Sequence, residues 1–244
     1  MRHVLFFLIL LSGSLGAAEI SYQAEDGVTI YADWHEGPSE LGAVVILFHQ
    51  ARGSARGEYP YIVERLSDLG VSVLAVDLRS GGTGFGPSNR TVDALDSKDL
   101  GYCAAWPDIR ASVKAARERS KGEILIWGSS YSAGLVLRYA ALHGDTVNGA
   151  LAFSPASGDP MAGCDSAEFI EQIKIPVVAF RPAREMEIPS VQSQAEKLRA
   201  AGIRVYVIDG GVHGSSMLVP DRSEANLEQT WRLVENFLGG FHMP

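Results

Sequence analysis

Ser130 stands at the centre of Gly128-Ser129-Ser130-Tyr131-Ser132, behind the short apolar run Ile124 to Trp127 and ahead of Ala133-Gly134 and an apolar stretch of helical character. A strand that turns sharply into a helix exposes a serine at the turn. A serine hydroxyl is a poor nucleophile at neutral pH, so acyl-transfer chemistry needs a base beside it and backbone donors facing a developing oxyanion. The crowded turn calls for small residues two places before and after the serine. Gly128 meets that need, and Ser132 stands where a second glycine is usual, a departure tolerable on size. Alone, a small-x-Ser-x-small string is weak in a chain with 26 glycines. Its meaning depends on a base and an acid further along.

The candidate base is His213, in Asp209-Gly210-Gly211-Val212-His213-Gly214 after the strand-like Arg204 to Ile208. The glycines around it let the backbone fold an imidazole back over a site. Of the six histidines it alone is so placed: His3 lies in a leader, His35 ends an early hairpin, His143 ends the helix behind Ser130 and His242 is in the tail. The alternative is a solvated loop histidine. Carboxylates come from the segment Arg181 to Pro189, which offers Glu185 and Glu187, and from Asp159 and Asp165 in the preceding loop. The task of such an acid is to fix the imidazole tautomer and stabilise the imidazolium. For Glu185 the alternative is a surface ion pair with Arg181 or Arg184.

The elements that must position these groups alternate in type. Ile20 to Ala24 and Val28 to Trp34 flank the turn signal Asp26-Gly27. Ala43 to Phe48 is a continuous apolar run of the kind a buried parallel strand needs, and it ends in His49-Gln50-Ala51-Arg52-Gly53-Ser54. Glu58 to Leu69 has helical periodicity, Val71 to Val76 is an apolar strand ending at Asp77, and Pro107 suits the first turn of a helix to about Arg119. Strands at Val147 to Phe153, Ile175 to Phe180 and Arg204 to Ile208 follow, with helices from about Tyr131 to Leu142, Val191 to Ala201 and Glu224 to Phe237. Such alternation predicts an α/β fold, a mostly parallel twisted sheet with helices on both faces. About 20 residues separate Pro155 from Ile175, too few for a large cap domain.

Leu47-Phe48-His49-Gln50, Asp77-Leu78-Arg79-Ser80-Gly81-Gly82, Gly128 to Ser132 and Gly210 to Gly214 together resemble an α/β-hydrolase of the dienelactone hydrolase and carboxylesterase branch, from the hairpin near Ile20 to the last helix. The resemblance implies a nucleophile, acid and histidine in that chain order, with the acid in the loop after Ile175 to Phe180. Glu185, about four residues before Pro189, takes that place, with Glu187 as second choice. It also implies two oxyanion donors, the backbone N–H of Tyr131 and one from the loop after Phe48, for which Gln50 is chosen although many relatives carry glycine there. His49 is expected to brace its loop. The activity implied is cleavage of carboxylic esters through an acyl-enzyme, on a small-molecule substrate and without a cofactor. A peptidase or amidase with the same three residues, or an inactive binding protein on this fold, are the alternatives. Arg52, Arg79 and Arg181 each follow a strand's carboxyl end, where they would attract a substrate carboxylate; the alternative is pairing with Glu58, Asp77 or Glu185.

Composition sets outer limits. The 244 residues, 46% hydrophobic, suit one domain, 19–244, behind a leader over 1–18: Arg2 and His3, apolar Val4 to Leu11, then Gly16-Ala17-Ala18. That apolar core is shorter than the roughly 20 residues of a spanning helix. Cleavage after Ala18 would give a soluble, secreted or periplasmic protein and change the net charge from −8 to −9, with 20 basic against 29 acidic residues. An acidic chain without a basic stripe gives no support to nucleic-acid binding or adhesion to anionic lipid. Export would place Cys103 and Cys164 in an oxidising compartment, where they form a disulfide or remain buried thiols. Cys and His ligands do not cluster as a metal site requires. A monomer is the default expectation.

Overall fold

The computed structural model describes residues 17–97 and 100–242. The expected leader therefore lies outside the described residues except for Ala17 and Ala18, and Ala18 is the first residue of the first strand. In chain order the strands are β1 (Ala18–Gln23), β2 (Thr29–His35), β3 (Val44–Phe48), β4 (Ser72–Asp77), β5 (Ile124–Ser129), β6 (Gly149–Phe153), β7 (Val177–Pro182) and β8 (Arg204–Ile208). The helices are α1 (Ala55–Glu58), α2 (Pro60–Asp68), α3 (Arg90–Asp93), α4 (Trp106–Arg119), α5 (Tyr131–Leu142), α6 (Pro189–Ala200) and α7 (Leu227–Leu238).

The eight strands among the described residues form one sheet in the order β1-β2-β4-β3-β5-β6-β7-β8. β1 pairs with β2, and β2 with β4, antiparallel; the pairings from β4 through β3 to β8 are parallel. Parallel strands joined by helical crossovers are covered on both faces, so their sequences read as unbroken apolar runs. In β3 all five residues are buried, with Val44, Ile46 and Phe48 facing one apolar layer and Val45 and Leu47 the other. Residues of α4 and α5, such as Ile109, Val113, Leu135 and Val136, fill the first layer. Those of α2 and α7, including Ile62, Leu66, Trp231 and Leu238, fill the second.

One helix is broken within its expected span. The stretch expected as a helix from Glu58 breaks at Tyr59, because Pro60 opens a new helix at its N1 position. Residues between β6 and β7 form only short turns of 3-10 type, at Asp159–Met161 and Ile170–Gln172, in place of any cap. The elbow serine, the carboxylate loop and the histidine loop follow the carboxyl ends of β5, β7 and β8, on one edge of the sheet, where open α/β sheets bind ligands.

Candidate active site

β5 is buried along its whole length and delivers the chain to Ser130, whose φ of 61° and ψ of −118° lie outside the regions a serine ordinarily adopts. α5 starts at the next residue. The turn is too tight for a side chain at Gly128: a Cβ there would come within 2.5 Å of the backbone N and Cα of Ala133. Ser132 has more than a space-filling role. Its hydroxyl accepts the N–H of Ser129 at 2.8 Å and donates to the carbonyl of Phe48 at 2.7 Å, fastening the elbow to the end of β3. The Ser130 N–H is held by the carbonyl of Phe153 at 2.8 Å. These contacts over-determine a strained residue, which is how strain persists at such sites.

The imidazole of His213 reaches both partners. Its Nε2 lies 2.8 Å from Ser130 Oγ and its Nδ1 2.6 Å from Glu185 Oε1. With Nδ1–H donating to the carboxylate, the Nε2 lone pair faces the serine hydroxyl, the tautomer a general base requires. Glu185 is buried and His213 is 46% exposed at its side chain. Glu185 Oε1 also accepts the hydroxyl of Ser154 at 3.0 Å, and Oε2 accepts Arg181 Nη1 at 3.0 Å. Burial pushes the Glu185 carboxyl up, but hydrogen bonds and charge from His213 and Arg181 outweigh it and hold the group below its ordinary range. Of the other carboxylates considered, Glu187 and Asp159 are exposed, and Asp165 accepts the N–H groups of Gly158 and Ala167.

Four expectations need correction. The Gln50 N–H is not free to meet an oxyanion, because it donates to Glu58 Oε2 at 2.7 Å. The next N–H, that of Ala51, and the N–H of Tyr131 find no protein partner among the described residues. Arg79 does not border a pocket: it is 4% exposed and its guanidinium is held by Asp26 and, at 2.6 to 2.7 Å, by Asp108. Arg181 does line the cavity, yet all its engaged nitrogens face protein, namely Glu185, the carbonyl of Pro155 and Gln194, so it braces the carboxylate. Arg52 is exposed on a turn with φ of 61° and lies apart from the cavity wall. His49 is fully buried; its Nε2 accepts the Leu78 N–H at 2.9 Å and its Nδ1 donates to the carbonyl of Gln50, the bracing part expected of it.

Sequence reading passes over Ser154 and the bridging part of Glu58. Ser154 has φ of 48° and also accepts the Gly214 N–H at 3.0 Å, tying the histidine loop to the carboxylate. A lone polar residue closing the apolar run of β6 was its only signal. Glu58, fully buried, accepts the Ser129 hydroxyl at 2.6 Å besides Gln50, so it links the elbow to the loop after β3.

Ser130, His213 and Glu185 border a cavity of about 620 Å³. Cys103 and Cys164 are joined as a disulfide, and the residues beside them, Tyr102 and the loop Ala156 to Pro160, form cavity walls. A larger groove of about 890 Å³ runs along α4 and the end of α5 and contains none of this constellation. Among the described residues no His, Cys, Asp and Glu are grouped to hold a metal ion, and no helix is long and apolar enough to cross a membrane.

Residues 32–241 match the family described as the dienelactone hydrolase family. No curated protein matches the sequence. Among solved structures, an esterase of Pyrococcus furiosus superposes with a TM-score of 0.71 at 19% identity, covering 98% of this chain and 96% of its own. A dienelactone hydrolase from Anabaena variabilis gives 0.66 at 15% identity, covering 93% of this chain and 98% of its own. An acylaminoacyl peptidase of Pyrococcus horikoshii gives 0.66 at 14% identity, with 91% of this chain covering 41% of the peptidase.

Proposed function

The chain belongs to the dienelactone hydrolase family, on the α/β-hydrolase fold, and from that membership, which makes it a hydrolase of ester type, we propose that it is an exported serine hydrolase. The observation that carries the reading is the continuous hydrogen-bonded line from Ser130 through His213 to Glu185, at 2.8 and 2.6 Å.

In this mechanism His213 Nε2 takes the proton of Ser130 as Oγ bonds to the ester carbonyl carbon. The N–H groups of Tyr131 and Ala51 receive the carbonyl oxygen as it becomes an oxyanion. Collapse breaks the bond to the alcohol, which leaves with the proton from His213. Water then gives a proton to His213 and attacks the acyl carbon, and the carboxylic acid departs as Ser130 recovers its proton. Glu185 stays ionised throughout, held by Arg181 and Ser154. The leader-like residues 1–18 and the disulfide support export to a secreted or periplasmic location.

Labelling with a fluorophosphonate probe tests the reading. The wild type is expected to be labelled and to hydrolyse p-nitrophenyl esters, and Ser130→Ala is expected to lose the label and about 10⁴-fold or more in kcat. Labelling that survives the substitution, or a wild type that neither labels nor turns over esters, overturns it. A panel of esters against aminoacyl anilides separates the esterase from an amidase built on the same residues.

A further inference from the structure

The cavity that holds Ser130 and His213 is walled chiefly by apolar groups, Tyr102, Pro155, Ala156, Pro160, Ile188 and Val191. Ile188 is 47% exposed, a large apolar side chain left open to water at the rim. The cation on this wall is Arg181, 2% exposed, whose charge is matched by Glu185 and whose remaining contacts go to Pro155 and Gln194. The wall also carries the exposed carboxylate of Asp159, which has no ion-pair partner among the described residues. In the same cavity, the buried hydroxyl of Ser157 has no protein partner among the described residues and offers an uncharged hydrogen bond.

Resting on the serine-hydrolase reading, we propose that the substrate is an electrically neutral ester with an apolar acyl group, and that Asp159 turns away acyl groups ending in a carboxylate. An apolar chain laid against Ile188 and Val191 leaves water and covers surface that is exposed without it. A carboxylate at the same depth loses hydration without gaining a cation, because Arg181 is already neutralised. It also meets the negative charge of Asp159, which stands on the same wall.

Two p-nitrophenyl esters of equal length make the test, the pentanoate and the half-ester of glutaric acid, which differ in a terminal methyl against a carboxylate. The full chain is expected to favour the pentanoate in kcat/KM by about tenfold or more, and Asp159→Asn to narrow the ratio several-fold. Arg52→Ala, a change outside the wall, is expected to leave the ratio where it was. Equal or faster turnover of the glutarate ester overturns the inference, as does a ratio that Arg52→Ala widens, since that would make Arg52 a carboxylate anchor. Fluorophosphonate labelling of Ser130 without turnover of the pentanoate also overturns this inference alone. No labelling at all removes the hydrolase reading beneath it.

Discussion

Glu58 illustrates how a side chain outside the hydrogen-bonded line of Ser130, His213 and Glu185 is tied to the loops that carry it. Its carboxyl group collects the Gln50 N–H and the Ser129 hydroxyl, and Ser129 Oγ in turn accepts the Ser215 N–H at 2.9 Å. One buried acid thereby joins the loop after β3, the elbow and the histidine loop. Burial pushes the Glu58 carboxyl up to about 7, against the lowering influence of Ser129, Gln50 and Arg222. The folded protein keeps this proton up to about pH 7 while the unfolded chain releases it near 4.5, so stability falls as pH rises across that window. Asp108, pushed up to about 6 mainly by burial, adds to the same slope. Urea unfolding at about pH 5 and about pH 8 is expected to show a wild-type loss that Glu58→Gln reduces by an amount on the order of 3 kcal/mol. Matching slopes in the two proteins would remove Glu58 from this account. At this scale the sequence displays Ser130 and His213 well, because glycine spacing and loop position mark them, whereas Glu185 is one of several loop carboxylates and is singled out only by the family resemblance. It conceals which N–H is free: the partner of Gln50 lies eight residues on, and those of Arg79 lie 53 and 29 residues away.

Among the elements, the strand-to-helix turn carries the tightest steric demand. Because the atoms a Gly128 side chain would strike belong to backbone, no rotamer change relieves the contact. Gly128→Ala is therefore expected to cost at least about 2 kcal/mol in urea unfolding and to lower the yield of probe-labelled protein. A variant as stable and as well labelled as wild type would show that the elbow can relax. The strands themselves are legible, since burial on both faces demands unbroken apolar runs, and each central strand appears as one. Boundaries shift where a backbone rule intervenes. β7 begins at Val177 and not at Ile175, because Pro176 has no N–H to give a ladder. The apolar helix face from Glu58 onward conceals the break that Pro60 imposes.

For the molecule as a whole, apolar content and strand-helix alternation sufficed to predict a mostly parallel sheet layered by helices on both faces, without a large cap. The pairing of β2 with β4, which places the hairpin at one margin of the sheet, has no local signature and rests on long-range packing. The Cys103–Cys164 bridge spans 61 positions, and a loop of that size contributes on the order of 4 kcal/mol in the chain-entropy treatment. It also divides the polymer into a covalent ring, holding α4, β5, the elbow and α5, and two open arms, the carboxyl-terminal of which bears Glu185 and His213. Lys121 is exposed at the turn between α4 and β5, inside that ring. Trypsin nicking there is expected to leave a molecule that migrates as one band until a thiol reductant splits it in two, with the fluorophosphonate tag on the larger, carboxyl-terminal fragment. A single cut within the ring would thus leave the protein a tethered whole.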